Sequence, residues 1–249
     1  MLVDTHCHIH ESDFPLPIVE VLEHAQVADV QKMICVGTSE KSSREAIDFA
    51  NAHENVWASI GVHPHDTKDG YDELKSLAAS SNKIIAVGEI GLDYFYTHSP
   101  REMQMKALEH QIQLALAHDL PIIFHVREAF EDFWPLFDKY PGIRGELHSF
   151  TDTKDNLDMA IARGLYIGVN GISTFTKDES QKTMFDSIPL DRLLLETDAP
   201  FLTPSPFRGK VNEPAFVRNI AEYHANRRAI SVEEIASATT ANAIKLFAI

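Results

Sequence analysis

The sequence is poor in cysteine, in basic residues and in long apolar runs, and each shortage excludes a class of protein. Its 249 residues include two cysteines, Cys7 and Cys35. Two thiols at that spacing make neither a disulfide framework nor a cysteine-based metal site, and they fit a reducing cytosol. No apolar run reaches the roughly 18 residues of a membrane-spanning helix. The N-terminus shows no basic segment followed by an apolar one, so no signal peptide is expected, and the expected location is cytoplasmic. Lysine and arginine total 22 against 37 aspartates and glutamates, a formal net charge of −15. That balance excludes a protein that grips nucleic acid through a broad basic face. It leaves open a site where metal cations supply positive charge locally.

What the chain does have is regular alternation. Short β-rich apolar runs at 2–9, 31–36, 56–62, 84–89, 121–126, 143–148, 165–169 and 193–197 are the predicted strands. Helical periodicity lies between them, near 18–29, 42–53, 71–81, 102–118, 130–140, 154–163 and 177–187, with two more helices near 214–225 and 232–247. The 102–118 segment has the clearest period, with Met105, Leu108, Ile112, Ala115 and Leu116 at three- and four-residue steps. Ser231 followed by Glu234 is a capping-box start for the last helix. Alternating β and α units imply a parallel sheet with crossover helices. Eight units in this length predict a single domain, residues 1–249, folded as a (β/α)8 TIM barrel with an extra C-terminal helix. A doubly wound open sheet is the rival. It usually carries a glycine-rich phosphate turn after its first strand, where this chain has His6-Cys7-His8.

Barrel enzymes carry their active sites at the C-terminal ends of the strands. Here the first predicted strand ends in His6 and His8, the third runs into His63, the fourth ends in Glu89, the fifth in His125, the sixth in His148 and the eighth in Asp198. Each residue alone has an ordinary reading. Glu89 could be a solvated loop carboxylate, His125 and His148 hydrogen-bonded core histidines, and Asp198 a turn residue. Together at one end of one barrel they would be a costly set of buried ionisable groups without partners. A shared metal centre removes that cost.

His6, His8, Glu89, His125, His148 and Asp198 exceed the four ligands of one tetrahedral ion and suit two divalent cations. In this reading His6, His8 and Asp198 hold one ion, His125 and His148 hold the other, and Glu89 bridges. Paired cations activate a water and stabilise a displaced oxygen. Asp198 is then the general base, and His63 contacts substrate at a phosphoryl oxygen.

These residues resemble the TatD family of metal-dependent deoxyribonucleases, within the amidohydrolase-type metal barrels. The resemblance covers nearly the whole chain. It is carried by Asp4-Thr5-His6-Cys7-His8, Gly61-Val62-His63-Pro64-His65, Gly88-Glu89-Ile90-Gly91-Leu92-Asp93-Tyr94 and Leu120-Pro121-Ile122-Ile123-Phe124-His125-Val126-Arg127. It continues through Leu194-Leu195-Glu196-Thr197-Asp198-Ala199-Pro200-Phe201-Leu202, Arg208-Gly209-Lys210-Val211-Asn212-Glu213-Pro214 and Thr239-Thr240-Ala241-Asn242. It implies a hydrolase of DNA phosphodiesters, often acting from the 3′ end, with divalent metal. It supports the same six ligands, and it separates the chain from relatives that bridge their metals with a carbamylated lysine. One departure stands at His148-Ser149-Phe150-Thr151-Asp152, where the family often reads His-Cys-Phe-Ser-Gly; it bears on loop shape and substrate choice.

Mg2+, Mn2+ and Zn2+ are all candidate ions, with four imidazoles favouring Zn, Mn, Fe or Co over Mg. Arg127, Arg208 and Lys210 are candidate phosphate partners. The expected substrate is single-stranded or frayed DNA. The alternative is the same metal barrel opening a lactone, an amide or a small phosphoester. A non-catalytic barrel is a third reading, and the filled ligand positions speak against it.

Overall fold

The computed structural model describes residues 1–96 and 98–249. Eight strands, β1 (Leu2–Cys7), β2 (Val30–Val36), β3 (Val56–Ile60), β4 (Ile84–Asp93), β5 (Ile122–Arg127), β6 (Gly145–Leu147), β7 (Tyr166–Val169) and β8 (Leu193–Leu195), pair in chain order, each parallel to the next. Helices α1 (Ile18–Val27), α2 (Glu40–Ala52), α3 (Leu74–Leu77), α4 (Arg101–Ala117), α5 (Phe130–Phe137), α6 (Lys154–Ala162), α7 (Ile172–Phe175) and α8 (Glu179–Asp186) connect them, and α9 (Val217–Arg228) and α10 (Val232–Phe247) follow β8. This is the (β/α)8 barrel that the alternation predicts, with α10 as the extra helix. No helix among the described residues is long and apolar enough to cross a membrane.

The 71–81 prediction is the one that shrinks most. Only Leu74 of α3 is buried, so the segment has no apolar stripe to hold a longer helix. The 214–225 prediction splits into a 3-10 turn at Pro214–Phe216 and α9, which runs on to Arg228. Helix α7 was not predicted, because four residues are too few for a period to show. Ser231 caps α10 as expected, its hydroxyl accepting from Glu234 N at 3.1 Å.

Two apolar layers hold the barrel. One lies between sheet and helices and includes Leu108 and Ile112 of α4 with Phe124 and Phe133. The other gathers Ile34, Val36, Ile123, Tyr166 and Leu194 with Ala243, Leu246 and Phe247 of α10. Ile123 and Leu194 stand two residues before His125 and Glu196, so they share the inward face of their strands. The inside of the cylinder is therefore apolar below, with the end of α10 packed against it, and polar above.

The seam between β1 and β8 closes differently from the other seven. It has a single bridge, Cys7 to Ala199, just beyond β8. The side chain of Asp4, fully buried, completes it. Its Oδ1 accepts Thr197 N at 2.8 Å, and its Oδ2 accepts the Thr197 hydroxyl at 2.6 Å. Thr5 donates its hydroxyl to Leu195 O at 3.2 Å. Asp198 N donates to His6 O, and His8 N to Ala199 O, both at 2.8 Å. Asp4→Ala leaves two buried Thr197 donors without an acceptor, and it is expected to cost about 3 kcal/mol of stability. Urea unfolding of chelator-treated protein measures this; a loss below about 1 kcal/mol would remove Asp4 from the closure.

Candidate metal centre

The residues at the upper rim converge. His6 Nε2 lies 3.3 Å from Glu89 Oε2 and 3.7 Å from Asp198 Oδ1. His8 Nε2 lies 3.2 Å from His6 Nε2 and 3.3 Å from Asp198 Oδ1. His125 Nδ1 lies 2.8 Å from Glu89 Oε1, and His63 Nε2 lies 3.5 Å from the same oxygen. His148 stacks on His6 with ring centroids 3.5 Å apart, its Nε2 3.9 Å from Glu89 Oε1 and 3.8 Å from Asp198 Oδ1. Three overlapping groups have ligand atoms close enough to share an ion: His6 with His8 and Asp198, His6 with Glu89 and His148, and His63 with Glu89 and His125. All six expected ligand residues thus meet in one place, and His63 joins them. Glu89 turns Oε2 toward His6 and Oε1 toward His125 and His63, which is the geometry a bridging carboxylate needs.

The backbone aims these groups. The β3–β4 and β4–β5 ladders both shift register in β4, the latter between Val87 and Ile90, around Glu89. At Gly91 a Cβ would sit 1.7 Å from His125 O, so only glycine lets β4 pass that close to the histidine. Asp198 takes a left-handed φ of 58°, tolerated better by Asp than by most residues, and this turns its carboxylate back over the rim. Helix α4 steadies the opposite wall with two buried glutamines. Gln111 accepts from Val62 N at 2.7 Å, next to His63, and Gln104 accepts from Asp93 N at 2.9 Å.

Outer contacts set which nitrogen each imidazole offers. His8 Nδ1–H donates to Val36 O at 2.9 Å, leaving Nε2 as the nitrogen that faces the cluster. His125 Nε2 pairs with Asp93 Oδ2 at 3.1 Å, leaving Nδ1 toward Glu89. His148 Nδ1 lies 2.9 Å from Glu196 Oε1, leaving Nε2 inward. These are the carboxylate and carbonyl partners that ligating histidines ordinarily have. His63 is arranged the other way. Its Nδ1 accepts His65 N–H at 3.2 Å, so in the neutral ring the proton sits on Nε2 and points at Glu89. That favours His63 as a donor over His63 as a ligand.

The charges are tightly balanced. Burial works to raise the Glu89 carboxyl, but His63, His148, His125 and His6 outweigh it and hold Glu89 well below the usual carboxylate range. Asp198 is also held low against burial, by His8, His148 and His6. Burial opposes the charged form of His8, yet Asp198 and Glu89 lift it to about 9. Likewise Glu196, Glu89 and Asp198 lift His148 to about 10. Burial and the charge of His148 lower His6. Four imidazoles packed round two carboxylates suit a divalent cation better than they suit protons, since His6 and His8 nitrogens face each other at 3.2 Å.

A cleft of about 620 Å³ opens above the cluster, lined by His63, Glu89, His125, Arg127, His148 and Asp198 among others. Arg127 therefore stands where a phosphate partner should. Arg208 does not: its guanidinium donates to Thr203 O at 2.8 Å and covers the Phe175 ring at 3.9 Å, and neither it nor Lys210 lines the cleft. Of the two arginines expected to contact substrate, the structure thus places Arg127 at the cleft and Arg208 outside its lining. Asp93, Glu196 and Asn170, which donates to Ser149 Oγ at 2.8 Å, were not singled out. The available signal was position: Asp93 and Glu196 each share an inward face with a site residue at even spacing, Glu89 and Asp198.

A family profile, TatD-related DNase, matches residues 3–248. The uncharacterized metal-dependent hydrolase YabD of Bacillus subtilis is 38% identical, covering 100% of both chains. The protein named 3′-5′ ssDNA/RNA exonuclease TatD of Cronobacter sakazakii is 35% identical over 99% of this chain and 97% of its own. The solved structure of YjjV, a TatD homologue from Escherichia coli, superposes with a TM-score of 0.92 at 28% identity, covering 100% of this chain and 98% of the other.

Two outcomes are expected from the geometry. In the cation-free protein His8 and His148 titrate near 9 and 10, so both carry protons at neutral pH. Ligation needs their lone pairs, so cation binding should release about two protons at pH 7, and affinity should rise with pH until about 10. Calorimetry in buffers of different ionisation enthalpy reads this; no net release would reject both histidines as ligands. Glu196→Gln removes the charge behind His148 and is expected to weaken metal affinity roughly 10- to 100-fold in chelator competition, with the far-UV spectrum unchanged.

Proposed function

The chain belongs to the TatD-related DNase family of metal-dependent hydrolases, and on that premise we propose that it cleaves DNA phosphodiester bonds, acting as an exonuclease from the 3′ end of single-stranded or frayed DNA. The observation that carries this reading is the Glu89 carboxylate set between two groups of imidazoles at the floor of an open cleft. His6, His8 and Asp198 would hold one cation, His125 and His148 the other, with Glu89 between. Divalent cations there would supply Lewis acidity and the positive charge that a phosphodiester requires. The imidazole-rich set favours Zn, Mn, Fe or Co as resident ions over Mg.

The remaining work falls to the chain's own groups. Asp198 faces the cleft with its side chain 16% exposed, open enough to take the proton of an attacking water. His63 is kept neutral: burial lowers it well below its ordinary range. Its Nε2–H can then donate to a phosphoryl oxygen. Arg127 offers a forked cation to the neighbouring phosphate. The 3′ direction draws support from the Cronobacter relative, which is named for that polarity.

Asp198→Asn is expected to lower turnover of a single-stranded oligonucleotide at least about 1,000-fold while the fold persists. Strands labelled separately at the 3′ and 5′ ends give the direction of attack. Rapid turnover of a lactone or a simple phosphoester, with both labelled strands left intact, would overturn the nuclease reading.

A further inference from the structure

The cleft is not lined by polar groups alone. Among the described residues, Tyr96 and Phe201 are the only exposed large apolar side chains that line it. Single exposed apolar residues are common and need no purpose. Phe201 differs in three respects. It is 58% exposed, three residues after Asp198 in the turn that carries that carboxylate. Its backbone is pinned from below: fully buried Asn212 donates from Nδ2 to Phe201 O at 2.5 Å and to Thr197 O at 2.8 Å, and Phe201 N donates to Asp198 O at 2.8 Å. Its ring has no aromatic or cationic partner among the described residues. The other exposed rings do have partners. Phe95 lies under the Arg127 guanidinium at 3.9 Å. Tyr96 has His98 stacked at 5.5 Å and Arg127 at 5.0 Å.

We propose that the Phe201 ring is a stacking platform for an unpaired nucleobase, that of a nucleotide bordering the phosphodiester held at the cation cluster. This inference rests on the phosphodiesterase reading above and adds what selects the strand. A flat, rigid, solvent-facing ring beside the reacting centre offers a π-face to any base without reading its edge. Phe201 follows β8, and Arg127 ends β5 three strands away round the cylinder. A chain with its base on Phe201 and a phosphate on Arg127 therefore crosses the cluster between them. A base in a duplex must first unpair to reach the ring, so the platform favours single strands and frayed ends.

The test compares wild type, Phe201→Ala and Phe201→Trp on two single strands. One has ordinary bases throughout, and the other has abasic tetrahydrofuran residues on both sides of the terminal bond. Phe201→Ala is expected to lower kcat/KM on the base-bearing strand by roughly 5- to 100-fold, mainly through KM. Phe201→Trp should restore it, and the three proteins should process the abasic strand alike. Equal losses on both strands would overturn the platform. A second readout separates this from the nuclease reading. Fluorescence of an oligonucleotide ending in 2-aminopurine, its terminal linkage a phosphorothioate, should be quenched on mixing with wild type and not with Phe201→Ala. Quenching without hydrolysis of any strand would defeat the nuclease reading and leave the stacking site standing. Hydrolysis with no quenching by wild type would do the reverse.

Discussion

Everything at the upper rim depends on the closing of one seam. His6 and His8 come from the first strand and Asp198 from just past the last, 190 residues later. They face each other only because the end of β1, with His8 just past it, meets the segment that follows β8. An eight-stranded cylinder would normally make that meeting with a ladder of backbone bonds. Here β8 stops at Leu195, and the segment beyond it closes on β1 through the Asp4 carboxylate and a few backbone bonds. A side chain thus does the work of a strand. The benefit is positional: chain freed from the ladder at 196–199 can turn, and Asp198 takes the left-handed conformation that a continuous strand would not allow.

Buried carboxyls also stand just below the cluster. Asp4, Glu146 and Glu196 are all fully buried, each two residues before a rim residue in the chain. Alternation along a strand makes that spacing a shared face. The lower residue of each pair stands in the barrel; of the upper ones, His148 and Asp198 line the cleft, while His6 is fully buried beneath it. Asp4 ties the seam and Glu196 backs His148. Burial, with Glu196 close by, pushes the Glu146 carboxyl well above the usual range, so it stands neutral, and neither of its oxygens has a partner among the described residues. Glu196 fits because Gly168 faces it: a Cβ at 168 would lie 2.3 Å from Glu196 Oε2.

The fold was largely legible because hydrophobic period reports directly on burial. Strands packed on both faces read as apolar runs, and helices packed on one face read as stripes. α3 failed that test because one buried leucine makes no stripe. The rim was legible for a related reason. In a barrel, strand ends are sites, so the topology told which polar residues to gather. Side-chain direction was less accessible. Arg208 and Arg127 look equally basic in the sequence and each covers a phenylalanine ring at 3.9 Å; only packing shows that Arg127 lines the cleft while Arg208 donates to Thr203 O away from it. The tautomer of His125 depends on Asp93, 32 residues away, a contact that no local pattern reports.

The acidic surface then becomes part of how substrate would be handled. A net charge of −15 repels a polyanion wherever it is not locally offset, and screening confines attraction to within about 8 Å of its source. In the proposed reading, cations held at the rim would supply that offset together with Arg127, which lines the same cleft. A long strand would gain little on average by lying along a surface with 37 acidic against 22 basic residues. Binding strength must therefore come from contacts at one or two nucleotides, and charge alone is a poor way to hold so few phosphates. A flat apolar ring beside the cluster adds affinity that does not depend on phosphate charge and is not screened by salt. On the proposed function, an enzyme built this way would engage the end of a chain and leave its length in solvent.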